Sequence, residues 1–466
     1  MPKDYEELLD DLRRREVHID CVQMDLVRAS DGKIYSGTGY IRQKATHDFE
    51  IKMYAKGKLD LREIFFNFGS TKAGVLYKEG DHFALTASDK YHRAWRADRI
   101  INPDPDGHVE REGFIVTANC NEIALTQGRS AVEKVNWVKL RSFETIKFPC
   151  NTRTEVTTTV GKTRSAQRGR LNAAEFDSFG LSFCFEDDEG LSVSASAGEA
   201  RLPLQLERRI TETVTFALGI VPRWAMVMQA QGEETVKRFR NHDELRKRRT
   251  QWPPYKIELI DETGSVWRMF DLYLAHVIKD QVALTHALSR SVFGVSETRT
   301  SSIEGQALAA AVAVESILDE FYASVGKPDV ERLKALGELI AYLKSWGGDT
   351  KLIDRVLGVV SSLKRARPDD RLRVLVAEGT VGEAERKAWN KLRNTVAHGN
   401  WHVYEGKLQE LLDITHKVVG LFNQLVFHLI SYKGKQTDYG THGWLAIEYP
   451  PEPSAAPGES ETKGDE

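Results

Sequence analysis

The chain has 466 residues, enough for two to four domains that each have a core of their own. Hydrophobic residues make up 41% of it and charged residues 29%, which is typical of globular proteins and excludes a disordered or fibrous chain. Because the formal net charge is only -3, the whole molecule is not a polycation, and any contact with nucleic acid must come from local basic patches.

The cysteines and the apolar segments also limit the class of protein. Cys21, Cys120, Cys150 and Cys184 are far apart and none belongs to a CxxC pair, which argues against a zinc ribbon or a disulfide framework. A reducing cytoplasm suits such a chain. Residues 1–16 are charged and lack the apolar core of a signal peptide. No run of about eighteen apolar residues occurs, so we expect no membrane span.

Residues 1–250 have the pattern of a β-rich region. Short runs of Val, Ile, Phe and Tyr alternate with Gly, Asp and Asn turns, as in KIYSGTGYI, HFALTAS and EGFIVTANC. Such runs are typical of half-buried strands, and their spacing predicts one or two antiparallel sheets or sandwiches. A division into two subdomains would fall near residue 146.

The pattern becomes helical after a connector at 251–264, where paired prolines cannot continue a helix. Apolar residues then recur at intervals of three and four, which predicts a helical bundle over 265–435. The helix around AAAVAVESIL is apolar on nearly all sides and should lie centrally. Residues 449–466 are rich in proline and acids and should be disordered. The expected fold class is therefore α+β, an N-terminal β-rich region followed by an all-α bundle.

The motif RNTVAH at 393–398 carries the clearest chemistry in the sequence. Asn394 and His398 are four residues apart, so on a helix they share a face. Arg393 lies about 140° round an ideal helix from His398, and its long side chain can span much of that offset. Gly399 is expected to be a left-handed C-cap, which puts His398 in the final turn. The helix dipole there favours a cation and raises the proton affinity of the ring.

These residue types can cleave RNA without a metal. RNA supplies its own nucleophile, the 2′-hydroxyl, so an enzyme must move protons and stabilise the crowded phosphorus centre. Histidine can move the protons, and arginine offers forked donors that match phosphate oxygens. One histidine cannot easily be base and acid at once, so a symmetric dimer with facing motifs would supply both. No HExxH and no metal-spaced set of His and Cys occurs, and no metal or other cofactor is expected.

The motif and its surroundings resemble a known family. An R-x4-H motif with Asn after the arginine, inside a bundle of five or six helices, is similar to a HEPN domain. KLRNTVAHGNW after an AxxxESIL-type helix most resembles the ApeA-like HEPN group of antiphage abortive-infection proteins, over roughly 265–435. The resemblance implies a β-rich region joined to a C-terminal HEPN ribonuclease. It also implies that Arg393, Asn394 and His398 are catalytic and lie at a homodimer interface.

The function expected from the motif and the resemblance is a restrained toxin, an RNA-cutting antiphage effector of the cytoplasm that a phage-derived trigger would release. RNA is the expected partner, and transfer RNA is favoured because its single-stranded loops expose bases. The sequence leaves two alternatives open. One is a noncatalytic module that binds RNA or a nucleotide, and the other is an adaptor in which the bundle only dimerises.

Glu315 is predicted to support Arg393. It lies in LAAAVAVESILDEF, with Val312 and Leu318 on either side at helical spacing. A carboxylate inside an apolar helix needs a partner or stays protonated, and Arg393 is the candidate partner. The alternatives are a different arginine, or a position at a wet edge of the helix.

Basic segments are candidates for contact with an RNA backbone through its phosphates. The main one runs from 237 to 249, although such a run is usually a solvated helix face. Segments 363–373 and 161–170 are further candidates. The basic residues proposed from the main run are Lys237, Arg238, Arg240, Arg246, Lys247, Arg248 and Arg249.

Aromatic residues near the motif are candidates for stacking on a splayed base. Trp401 and Tyr404 are the two proposed for this role, whereas Trp389 is expected to pack in the core. His402 is either an additional proton carrier or an ordinary surface histidine.

Overall fold

The structure is a computed structural model. It describes residues 5–44, 49–59, 79–107, 111–129, 133–150, 154–160, 163–169, 173–187, 189–241, 252–257, 263–399 and 401–451. The chain divides into two compact units. The sheet unit consists of Met1–Ile146, Cys150–Glu207 and Pro222–Lys247, and the helical unit consists of Lys147–Pro149, Arg208–Val221 and Arg248–Glu466. The layout is thus α+β, with an N-terminal antiparallel β region followed by a C-terminal helical region, as the sequence predicts.

The sheet unit carries sixteen of the described strands. They are His18–Arg28 (β1), Ile34–Gln43 (β2), Phe49–Lys58 (β3), Phe83–Asp89 (β4), Ala94–Ile100 (β5), Asp104–Asp106 (β6), Glu112–Cys120 (β7), Glu122–Gly128 (β8), Trp137–Arg141 (β9), Thr154–Val160 (β10), Thr163–Gly169 (β11), Ala173–Ser178 (β12), Leu181–Asp187 (β13), Leu191–Ser196 (β14), Met226–Gln231 (β15) and Glu234–Arg240 (β16).

Fourteen of these strands form one antiparallel sheet. Its order is β12-β13-β14-β9-β15-β16-β8-β5-β4-β1-β2-β3-β7-β6, and β10 and β11 pair separately as a hairpin. Strand β9 pairs on one side with β14 and on the other with β15. The sheet is therefore continuous across residue 146, where the sequence suggests a subdomain boundary.

The strands form because their apolar residues alternate with polar ones, so that one face can be buried. In β4, alternate residues beginning with Phe83 are buried. The helix Tyr5–Arg14 (α1) adds Leu8 and Leu12 to the same core. Gly37 and Gly39 allow β2 and β3 to approach closely. A Cβ on Gly39 would lie 1.9 Å from the carbonyl oxygen of Lys52.

Nine further α-helices follow among the described residues. They are Leu206–Leu218 (α2), Ser265–Val277 (α3), Ala287–Thr298 (α4), Ile303–Phe321 (α5), Val330–Ser345 (α6), Thr350–Ser362 (α7), Pro368–Ala377 (α8), Glu383–His398 (α9) and Leu408–Leu429 (α10). Helix α2 begins in the sheet unit and continues in the helical unit. Within the described part of the chain, no helix combines the length and the apolar character needed to cross a membrane.

Two parts of the helical unit differ from the predicted bundle. The sequence pattern did not predict the short helix α8. It also did not predict a β-hairpin, which consists of Gly434–Asp438 (β17) and Leu445–Tyr449 (β18). The tail expected to be disordered from 449 begins with an ordered residue. Tyr449 is buried and its hydroxyl donates to the carbonyl oxygen of Gln424 at 3.1 Å. Residues 452–466 lie outside the described residues.

Helix α5 lies at the centre of the helical unit, as its composition predicts. It packs against α4, α8, α9 and α10, and Ala310, Val314 and Ile317 are fully buried. One side of α5 is not covered, however. Leu308 and Val312 lie one turn apart there and are 45% and 54% exposed. The helix is central, but an apolar stripe faces solvent.

A buried ion pair holds α2 against the segment between α3 and α4. Arg209 and Glu212 are both almost completely buried, with Nη1 2.9 Å from Oε1. Arg209 Nη2 donates to the carbonyl oxygens of Asp280 and Ala283, each at 2.7 Å, and Ser289 Oγ donates to Glu212 Oε2 at 3.0 Å. Because a buried charge without partners is very costly, this network strongly favours one arrangement of these elements.

Candidate functional site

Helix α9 carries the RNTVAH motif. Its inward side is anchored by Trp389 and Leu392, which are buried in the core of the helical unit. The helix ends at His398, and Gly399 follows with a φ of 65°, in the left-handed region. The predicted glycine C-cap is therefore confirmed, because only glycine adopts this conformation at little cost. The backbone of His398 lies in the final turn, and its side chain is outside the described part of the structure.

Arg393 pairs with Glu315 of α5. Nη2 lies 3.2 Å from Oε1, and Nε lies 3.4 Å from Oε2. The two side chains are 42% and 37% exposed, so the pair sits at the surface of the unit. The pairing expected from the sequence is thus present. The reason given for it, that Glu315 is surrounded by apolar residues, was only partly right. Glu315 lies at the solvent edge of α5 and is not enclosed by apolar neighbours.

The geometry of this pair leaves one edge of the guanidinium available. Glu315 contacts the Nε and Nη2 edge, which is a side-on arrangement. Nη1 donates no hydrogen bond to any described residue, and the guanidinium carbon lies 5.6 Å from the ring centroid of Trp389. Since guanidinium has five N–H donors in a rigid plane, the edge formed by Nη1 and Nη2 can still bind an oxyanion.

The neighbouring residues of α9 divide between surface and core. Asn394 is exposed beside Arg393, and Thr395 is buried, with its hydroxyl donating to the carbonyl oxygen of Lys391 at 3.1 Å. Lys391 in turn pairs with Glu410 of α10 at 2.7 Å. Arg393 and Asn394 therefore lie together on an accessible part of the helix, close to its C-terminal end.

The aromatic residues near the motif are placed differently from one another. Trp389 is buried, and its Nε1 donates to the carbonyl oxygen of Ala311 at 3.2 Å, in agreement with the predicted core position. Trp401 is partly buried against the core, and His402 is exposed. Tyr404 is only 2% exposed, so it offers no ring face to a base. Its proposed stacking role does not fit this structure, because the ring fills part of the core.

The basic run at 237–249 does not form a cationic helix face where it is described. Arg238 and Arg240 lie in β16 and both pair with Glu207, and Arg240 also pairs with Glu122 at 2.5 Å. These carboxylates neutralise the two guanidinium groups, so the proposal that they hold phosphates is not supported. Lys237 also lies in β16. The remaining four candidates, Arg246, Lys247, Arg248 and Arg249, fall outside the described residues.

The second basic segment, 363–373, is largely committed to intramolecular contacts. Arg371 is buried and donates to the carbonyl oxygen of Leu318 at 3.1 Å and to Asp319. Arg373 pairs with Asp369 at 2.9 Å. The side chains of the third segment, 161–170, are outside the described part of the chain.

Helix α8 connects the two helices that carry the Arg393–Glu315 pair. Asp369, in its first turn, accepts hydrogen bonds at 2.5 Å from Arg386 and from Asn390 of α9. Burial opposes ionisation of Asp369, but the hydrogen bonds from Asn390, Arg373 and Arg386 hold its pKa below the ordinary value. On its other side, α8 binds α5 through Arg371 and Asp319.

This clamp was missed in the sequence, although a local signal for α8 is present. Pro368 at the first helical position, followed by Asp369 and Asp370, is a typical helix start, and the Asp370 carboxylate accepts a hydrogen bond from the backbone N–H of the N-cap residue Arg367 at 3.1 Å. The surrounding arginines drew the interpretation toward an RNA-binding segment. Arg371 of this segment pairs instead with Asp319 of α5, and the local pattern does not indicate a contact with another helix.

A search of the described residues found no group of three or more His, Cys, Asp or Glu side chains that could hold a metal ion. Comparison of the chain with protein-family models, curated proteins and solved structures found no match.

Proposed function

We propose that the chain is a HEPN-type endoribonuclease that acts in the cytoplasm as a restrained effector of antiphage defence. One observation carries the proposal. Glu315 holds Arg393 side-on at the surface, on a helix that ends at His398, and on the guanidinium edge beside Asn394, Nη1 donates to no described residue. An arginine held in this way is suited to bind a phosphate group, while a histidine at the same end of the helix transfers protons from and to the reacting oxygens.

The proposed reaction is a transesterification. The 2′-oxygen of the substrate attacks the adjacent phosphorus, the bond between phosphorus and the 5′-oxygen breaks, and the products are a 2′,3′-cyclic phosphate and a free 5′-hydroxyl. One histidine removes the proton of the 2′-hydroxyl and another protonates the leaving 5′-oxygen, so His398 from each copy of a dimer serves one of these roles. DNA lacks the 2′-hydroxyl and is not cut.

Arg393 stabilises the phosphorane-like transition state through its free Nη1 and Nη2 edge. Two parallel N–H donors match two non-bridging phosphate oxygens, and a charged donor is stronger than a neutral one. Glu315 acts as a positioning residue, because it restricts the guanidinium before the substrate arrives and so lowers the entropic cost of binding. Asn394 offers an amide donor on the same exposed part of α9.

The uncovered stripe on α5 supports a homodimer through the helical bundle. Leu308, Val312 and Glu315 follow one another at intervals of four and three residues, so they share a face of the helix. The stripe therefore leads directly to the Arg393–Glu315 pair. A second copy that covers Leu308 and Val312 would bring two motifs close together, and the removal of apolar surface from water would favour the contact.

The sheet unit has a feature suited to the proposed sensing of a trigger. A cleft of about 710 Å³ lies over β9 and β12 to β14. It is lined by the aromatic rings of Trp137, Phe176 and Phe183 together with Lys139 and Glu175. A pocket of this size with apolar walls and a few polar groups is typical of ligand-binding sites. A phage-derived molecule bound here is the proposed trigger.

The test is to incubate purified protein with total RNA and with transfer RNA, with and without EDTA. We expect cleavage that survives EDTA and leaves 2′,3′-cyclic phosphate ends, and we expect Arg393→Ala and His398→Ala to abolish it. Two exposed control residues, Arg290 and His442, are changed to alanine in parallel and should not affect cleavage. Growth arrest on expression should follow the same pattern.

Four outcomes would overturn the proposal. Equal toxicity of wild type and both motif variants would do so, as would cleavage that needs a divalent metal. RNA binding without cleavage, insensitive to His398→Asn, would identify a noncatalytic module. A dimer that neither binds nor cuts RNA would identify an adaptor.

A further inference from the structure

Helices α6 and α7 form a hairpin that stands apart from the core of the helical unit. All residues of 330–362 are described, and among them Leu336 and Val360 alone are buried. Neither helix contributes a residue to the core cluster of the unit. A four-residue connection, Trp346–Asp349, joins the helices, and such short connections make neighbouring helices antiparallel. The pair packs mainly on itself, so each helix buries one narrow stripe.

One face of this hairpin is apolar and exposed. Leu339, Tyr342 and Trp346 follow one another at helical spacing in and just after α6, and Leu352 and Val359 lie one heptad apart in α7. All five are between 43% and 67% exposed.

Helical periodicity places these five residues on the same face of the hairpin. At about 100° per residue, the α6 residues lie to one side of Leu336, through which α6 faces α7. The α7 residues lie to the same rotational side of Val360, and because a two-fold rotation relates two antiparallel helices, they come to the same face as the α6 residues. The hairpin is therefore a two-helix layer with one unpartnered apolar side.

The charges of the hairpin indicate what kind of partner this side would accept. Both charge signs occur at the edges of the apolar side, with Glu338 on α6 and Arg355 on α7. Neither of these two residues forms an ion pair with another described residue. A surface with both signs can complement a copy of itself across a two-fold axis, because each acid can meet a base of the partner.

We propose that this face binds the same face of a second copy of the chain, so that two hairpins form a four-helix bundle. Five side chains that are each about half exposed offer roughly 500 Å² per copy, or about 1,000 Å² for the pair, which is the lower bound for a specific interface. Two stacked helical hairpins also form the smallest arrangement in which each helix has neighbours on two sides, as in natural four-helix bundles.

The hairpin is connected to the Arg393 site through α8. Helix α7 leads directly into α8, whose Asp369 and Arg371 bind α9 and α5 as described above. Pairing of two hairpins therefore joins two copies through a segment that is clamped to both helices of the candidate site. An effect of this pairing on RNA cleavage depends on the proposed ribonuclease function. The pairing of the hairpins does not depend on that function.

The test is sedimentation velocity on the full chain over a wide range of protein concentration, without RNA. We expect wild type to dimerise. The double variant Tyr342→Glu/Val359→Glu should weaken the dimer by about 100-fold in its dissociation constant, because two charges would be buried at the centre of the contact. The control is Lys344→Gln/Lys351→Gln, which makes the same change in net charge on exposed residues away from the face. It should leave the dissociation constant unchanged within about 2-fold.

A monomeric wild type at tens of micromolar would overturn the proposal, and so would a double variant that dimerises as well as its control. Dimerisation that is lost in Leu308→Glu but kept in the hairpin variant would place the interface on α5 instead. If the glutamate variant proves misfolded by circular dichroism, Tyr342→Ala/Leu352→Ala provides a milder test, with an expected loss of about 10-fold. A monomeric hairpin variant that also loses RNA cleavage would support both proposals. A monomeric hairpin variant of a wild type that dimerises but cuts no RNA would support the pairing alone.

Discussion

Glu315 and Arg393 form a side-on ion pair that joins two helices across 78 residues of sequence, with Oε1 3.2 Å from Nη2. The pair is half-exposed, so its contribution to folding stability is small. The main effect of the pair is to orient the guanidinium of Arg393. Glu315 occupies one edge of this group, and the opposite edge is directed away from Glu315.

Replacement of Glu315 by glutamine should separate activity from stability. We expect the rate of RNA cleavage to fall about 10- to 100-fold, mainly in kcat, because the guanidinium is no longer held in its orientation. The free energy of unfolding should change by less than about 1 kcal/mol, since the pair is half-exposed. Glu315→Asp should restore part of the rate. Single-turnover cleavage and denaturant unfolding measure these effects, and full activity in Glu315→Gln would show that the carboxylate does not position Arg393.

Arg393→Lys should be nearly as damaging to cleavage as Arg393→Ala. A lysine keeps the charge, but its single ammonium cannot bind Glu315 with one edge and a phosphate with another. We expect a loss of about 100-fold or more in kcat/KM, with circular dichroism unchanged. The matched control is Arg290→Lys on the exposed surface of α4, which should retain wild-type activity. A lysine variant with near-normal cleavage would show that charge alone is sufficient.

Glu212→Gln should destabilise the helical unit by about 3–5 kcal/mol, because Arg209 is fully buried and would lose the charge that balances it. Chemical denaturation followed by circular dichroism tests this value. The matched control is Glu320→Gln, whose side chain is 41% exposed and pairs with Arg290 at 3.5 Å. It should cost less than about 0.5 kcal/mol. Equal losses of unfolding free energy in the two variants would mean that the buried Arg209–Glu212 pair contributes no more to stability than an exposed ion pair.

Acidification should destabilise the protein through His286. Burial, with added effects of the nearby His276 and Arg209 charges, lowers the pKa of His286 to about 4. An unfolded histidine takes up its proton near pH 6.5, so between about pH 6.5 and pH 4 the unfolded state binds more protons. Stability should therefore be unaffected above this window and should fall as the pH decreases through it.

The substitution that tests this effect is His286→Asn. The imidazole Nδ1 accepts a hydrogen bond from the backbone N–H of Leu288 at 3.2 Å and so caps α4, and asparagine can also act as an N-cap without titrating. The fall in Tm between pH 7 and pH 4.5 should be smaller in the variant, with the remainder due to other groups such as His276, whose pKa burial also lowers. An identical pH dependence in both proteins would exclude His286 as a contributor.

Local signals in the sequence predicted those features that depend on neighbours along the chain. The helix that carries RNTVAH ends at Gly399 as expected, because only glycine enters the left-handed region at little cost. The composition of 303–321 indicated a central helix, because an apolar surface on most sides must be covered. The change from strand periodicity to helical periodicity likewise predicted the α+β order of the chain.

Features that depend on partners distant in sequence were not predictable in this way. Arg238 and Arg240 looked like a cationic surface, but Glu207 neutralises them from a segment about thirty residues away. Tyr404 looked accessible beside the motif, yet tertiary packing buries it. The contacts of Asp369 and Arg371 also join α8 to α9 and α5, three segments that no periodicity connects.

The sequence by itself determined the helix of the motif, its glycine end and the central position of its neighbour, because these follow from backbone preference and from apolar periodicity. Only the tertiary structure decided that Glu315 sits at a solvent edge, that Arg393 keeps one edge free, and that α6 and α7 leave an apolar face uncovered. Exposure and pairing are properties of the packed chain, since they depend on which surfaces meet after folding, and a one-dimensional pattern contains only the tendency of each residue to be buried.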